Sequence, residues 1–133
     1  MASVLRWGLL IGGLAIIADL ATRVVDQRLA SQDAQNWLTT ADLCVSIVLF
    51  AFVGWAVMRE TGGVYLASLA GLLAGLLDGL VVAASNSMAP PPGVETVSPE
   101  GDITWNLLLG MLFATVAALV SRLVLRRPGA GPR

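Results

Sequence analysis

The chain has no histidine, no lysine and a single cysteine, and only 13% of its residues are charged. Without histidine it lacks the commonest metal ligand and the side chain best placed for acid–base work near neutral pH. No metal site and no cofactor is expected. A lone cysteine, Cys44, cannot close an intrachain disulfide. It lies in an apolar run and is expected to pack as a small hydrophobe. The eight basic residues, all arginine, face nine acidic ones, for a net charge of -1. No basic patch with interleaved aromatics exists, so nucleic acid is not an expected partner. Arginine without lysine fits a GC-rich genome, and the expected setting is the inner membrane of a bacterium.

What is abundant is apolar surface. Hydrophobic residues make up 56% of the 133, and mean hydropathy is +0.79. Soluble domains carry roughly 25% charged residues, and a chain this short has too little core to bury so much apolar surface. The lipid bilayer is the expected surrounding. Four apolar stretches approach the roughly 20 residues that span hydrocarbon: about 7–25, 41–58, 62–84 and 103–125. The expected fold is an all-α integral membrane protein: four transmembrane helices in an antiparallel up-down bundle, one domain over residues 1–127, and a disordered tail over 128–133. Arg6 before an apolar run resembles the start of a signal peptide, but no A-x-A site follows, so helix one is expected to be retained.

The connections differ in kind. Arg59 to Gly63 is a very short turn, whereas Ser85 to Asp102, with three consecutive prolines, reads as a polar loop. Asp26 to Thr40 either extends helix one or lies on the surface. Thr39 and Asp42 have the spacing of a capping box opening helix two. Arg6, Arg59, Arg122, Arg126, Arg127 and Arg133 fall on one side of such a bundle, and Arg23 and Arg28 on the other. The positive-inside rule then places both termini in the cytoplasm. Trp7, Trp55 and Tyr65 fall near the inner interface, and Trp37 and Trp105 near the outer one.

Small residues recur every four positions. Helix three carries Gly63, Ala67, Gly71, Gly75, Gly79 and Ala83; helix four carries Gly110, Ala114 and Ala118; helix one carries Gly8 and Gly12. Such strips form grooves that let a second backbone approach closely, which in lipid replaces the hydrophobic drive available in water. A faint internal repeat, "GGLAIIAD" at 12–19 against "GLLAGLLD" at 71–78, would make the chain two repeated helical hairpins.

The remaining polar residues gather in the outer half: Asp19 and Arg23, Asp42, Asp78, and Asn106. Carboxylates inside membrane segments are costly and face the bundle interior, paired or hydrated. Asp19 and Arg23 are four apart and share a helix face. Matching depth makes Arg23 the expected partner of Asp78, with Asn106 as the alternative. Two functions fit. In the first, the polar cluster fixes how the helices meet and the chain is a structural or accessory subunit, packing through its Gly/Ala faces on another membrane protein or on a second copy. In the second, the cluster is the site of a small transporter or channel for a cation, proton or small polar solute. Catalysis is not expected, because nothing sets a nucleophile or metal beside the aspartates.

Overall fold

A computed structural model describes residues 1–26, 28–29, 31–88 and 98–125. They form four helices: α1 (Ala2–Asp26), α2 (Gln32–Thr61), α3 (Val64–Met88) and α4 (Pro99–Leu125). All four are long and apolar enough to cross a membrane. The expected tail at 128–133 lies outside the described residues.

Each helix runs past its apolar stretch at one end or both, although α3 starts at Val64 rather than at Gly62, which caps α2. Hydropathy marks where a helix becomes polar, which is not where its hydrogen bonding stops. α2 differs most, beginning at Gln32 rather than near residue 41. The segment from Gln32 to Thr40 is polar but contains no glycine or proline, so nothing in it breaks a helix. Asp42 therefore sits within α2 rather than in its first turn, and the Thr39 hydroxyl donates to the Gln35 carbonyl instead of capping. Ser31, extended at φ -108, precedes the helix, and Asp33 in the first turn suits the positive end of the helix dipole. α4 begins earlier than expected for a clear local reason. Ser98 Oγ accepts the Gly101 N–H at 3.2 Å, Pro99 occupies the first helical position, and Glu100 and Asp102 lie in the first turn. These are the residue types that favour a helix start. α2 ends at Gly62, whose φ of 67 lets its N–H reach back to the Met58 carbonyl at 2.8 Å.

Glycine sets the packing. α3 touches all three other helices, while α1 and α4 do not meet among the described residues. One face of α3 lies on α4. A Cβ at Gly71 would strike the Gly110 carbonyl and the Ala114 side chain, and one at Gly75 would strike the Asn106 carbonyl. One at Gly79 would come within 2.9 Å of Ile103 Cα. The adjacent face of α3, with Ala70 and Ala74, receives Gly8 and Gly12 of α1; a Cβ at Gly12 would sit 3.2 Å from Ala74 Cα. Ala67, Ala114 and Ala118 are fully buried, and Ala83 is buried. Gly63 departs from the strip. It lies in the turn before α3, where a Cβ would meet only Leu66. Conversely Gly54 of α2, outside any four-residue strip, backs onto Ala114 of α4, with Ala114 Cα at 2.5 Å from its would-be Cβ. Around these contacts Ile11, Phe50, Val53 and Val57 complete the interior. Cys44 is exposed rather than packed in the core.

Backbone cannot yield as a flexible side chain can, so a larger residue at Gly75 must push α3 off α4. Gly75→Leu is expected to destabilise the protein by about 1–3 kcal/mol, the usual cost of overpacking. Gly13→Leu is the control, since a Cβ at Gly13 meets nothing within 4 Å. Thermal unfolding in detergent checks the difference; equal midpoints would remove the glycine contact as a structural determinant.

Candidate functional site

The polar residues form a hydrogen-bonded chain across α1, α3 and α4 and a separate pair between α1 and α2. On α1, Arg23 Nε donates to Asp19 Oδ2 at 3.0 Å, the i,i+4 pair visible in the sequence. Arg23 Nη2 donates to Asn86 Oδ1 of α3 at 2.9 Å. Asn86 Nδ2 in turn donates to Asp102 Oδ2 of α4 at 2.7 Å. A carboxamide suits this position because it accepts at one end and donates at the other, and so links a guanidinium to a carboxylate. A separate pair ties α2 to α1: Asp42 Oδ1 accepts from the Thr22 hydroxyl at 3.0 Å. Among the described residues the Asn106 side chain makes no hydrogen bond to another helix: its Nδ2 donates to the Asp102 carbonyl one turn back.

Asp78 stands apart from this network. Its exposure is 3%, and its Oδ1 has no hydrogen-bond partner among the described residues. Its position follows from its neighbours. Leu77 reaches toward Gly12 of α1, Gly79 backs onto Ile103 of α4, and Asp78 lies between those two contacts. Asp19, Asp42 and Arg23 are within electrostatic reach. The expected Asp78–Arg23 hydrogen bond is absent among the described residues, because Arg23 is engaged by Asp19 and Asn86. The alternative, Asn106, is also committed elsewhere. Arg23 extends toward the helix end, as long cationic side chains do in apolar surroundings. Asn86 is about 12 Å further along α3 than Asp78, at about 1.5 Å per residue.

The site thus holds four carboxylates, Asp19, Asp42, Asp78 and Asp102, and one guanidinium, Arg23. Among the described residues no group of three or more acidic or thiol side chains converges closely enough to hold a metal ion. Thr22, Asn86 and Asp102 were not singled out in the sequence. Asn86 and Asp102 lie in a stretch that reads as loop by polarity. The absence of glycine or proline between Ser85 and Met88, and the Ser98-Pro99-Glu100 start signal, are what place them on helices.

A double-mutant cycle separates the observed network from the alternative pairing. Arg23 and Asn86 are expected to couple by roughly 0.5–3 kcal/mol, the range for residues in one hydrogen-bond network. Arg23 and Asp78 are expected to couple less strongly. Chemical or thermal unfolding of Arg23→Gln, Asn86→Ala, Asp78→Asn and the two double variants measures both; the reverse ranking would place Arg23 on Asp78.

No protein-family model, curated protein or solved structure matches the chain.

Proposed function

We propose that the chain is a multi-pass membrane protein that takes up and releases a proton at Asp78, as the site of a small proton transporter or channel. The observation that carries this reading is the buried Asp78 carboxylate, whose Oδ1 has no hydrogen-bond partner among the described residues and which lies within electrostatic reach of two other carboxylates and one guanidinium. A buried charge without hydrogen-bond compensation costs several kcal/mol, and a proton removes that cost. Nothing else on the polar network is placed this way: Asp19, Asp42 and Asp102 each accept a hydrogen bond.

Several observations support insertion of the helices as an up-down bundle. The outward faces carry exposed Leu9, Leu14, Ile17, Leu108, Leu112 and Leu119. Gly71 meets Gly110 while Gly79 meets Ile103, the order for helices running in opposite directions. Arg6 pairs with Glu60, and Arg59 shares a groove with Val124, so these basic residues gather at the end away from Asp19, Asn86 and Asp102. The positive-inside rule then favours a cytoplasmic Arg6–Arg59 end and an outward polar cluster, in a bacterial inner membrane.

The accessory-subunit reading drew on the Gly/Ala faces as a docking surface. Gly8, Gly12, Gly71, Gly75, Gly79 and Gly110 all face other helices of the same chain, so a partner would need a different surface. That moves transport ahead of assembly.

Two experiments test the proposal. With Cys44 replaced, a cysteine at Ser98 is expected to label from outside intact cells and one at Thr61 only after permeabilisation; the opposite pattern reverses the orientation. In vesicles with an imposed pH gradient, the wild type is expected to dissipate the gradient at least several-fold faster than Asp78→Asn, with partial recovery in Asp78→Glu. Equal rates in all three would overturn the proton site.

A further inference from the structure

A second site lies at the opposite end of the bundle, between the last turns of α2 and α4. It is a groove of about 360 Å³ lined by Trp55, Arg59, Val120, Ser121 and Val124. Its chemistry is divided. Val120 and Val124, one turn apart on α4, form an exposed apolar wall. Arg59 closes the other side, its guanidinium 5.4 Å from the centre of the Trp55 ring. The ring is held in turn by Phe52, at 5.5 Å between centroids. Ser121 is buried at 8% exposure and supplies a hydroxyl. No carboxylate lines the groove, and the adjacent Glu60 is taken by Arg6. Arg59 has no ion-pair partner among the described residues.

We infer that this groove binds an anionic phospholipid, with the headgroup phosphate on Arg59 and Ser121 and the start of an acyl chain against Val120 and Val124. A cation beside exposed apolar walls matches an amphiphile with a negative head. A free inorganic anion would leave the valines wet, and a zwitterionic head would bring its own cation against Arg59. Basic pockets between helices at the cytoplasmic side are suited to anionic headgroups, and the arginine-rich end is the one assigned to that side. The stacked Trp55 holds the guanidinium in place, which lowers the ordering cost of binding. The inference rests on membrane insertion but not on proton transfer at Asp78.

Native mass spectrometry of the detergent-purified, delipidated full chain tests it, with equal amounts of phosphatidylglycerol and phosphatidylcholine added. The wild type is expected to retain phosphatidylglycerol several-fold in preference. Arg59→Gln is expected to lose that preference. Ser121→Leu, which fills the groove, is expected to reduce retention of both lipids. Arg28→Gln, an exposed arginine near the other end, is expected to behave as wild type, which separates the groove from net charge. Helical circular dichroism confirms that each variant is folded. No lipid preference in the wild type, equal losses in Arg59→Gln and Arg28→Gln, displacement of the lipid by inorganic phosphate, or a lipid-free dimer whose formation Ser121→Leu prevents would each overturn the lipid site. Outside labelling at Ser98 in cells reports insertion separately, so failure of the membrane reading is recognised as such.

Discussion

Where Gly71, Gly75 and Gly79 of α3 lie on Gly110, Asn106 and Ile103 of α4, backbone rests against backbone, and the other helices are arranged around that contact. No side chain could occupy the space. The close approach has a consequence at the helix ends: it brings Asn86 of α3 within 2.7 Å of Asp102 of α4. α1 then packs on the neighbouring alanine face of α3, which carries Arg23 to the same amide. α2 closes the group through Gly54 against Ala114 and Asp42 against Thr22. Small-residue packing and the polar network are therefore one construction. The first sets the helix separations that the second requires.

That construction leaves Asp78 unserved. The spacing of charges along the two helices shows why. Asp19 has Arg23 four residues on, whereas the position four residues after Asp78 is Val82. α3 carries its carboxylate without a cation on the same face. The single arginine of the cluster turns outward to Asn86 instead of inward to Asp78. Stability alone gives no reason to keep an unpaired carboxylate in the interior, since an apolar residue of similar size would cost less. Proton exchange gives one.

The existence of four helices was legible because each contains a long apolar run. Their ends were not, because polarity and helix hydrogen bonding stop at different residues. Gln32 to Thr40 and Ser85 to Met88 are polar and helical at once. A four-residue strip of small residues identifies a face but not the helix that meets it, and α3 carries two such faces for two neighbours. Gly54 gave no signal, with Phe50 and Met58 at the flanking four-residue positions. The Asp19–Arg23 pair followed from spacing within one helix. Matching depth then pointed to Asp78 for Arg23, but depth at Cα ignores a side chain long enough to reach a more polar level.

Everything functional in this reading turns on whether Asp78 exchanges a proton within the folded bundle. Infrared difference spectroscopy of the reconstituted protein, with aspartate carboxyls labelled by ¹³C, observes that group directly. A label-sensitive protonated-carboxyl band that comes and goes with pH, and that is missing from Asp78→Asn, is the expected result. A wild-type difference spectrum identical to that of Asp78→Asn across the pH range in which both remain folded would contradict it.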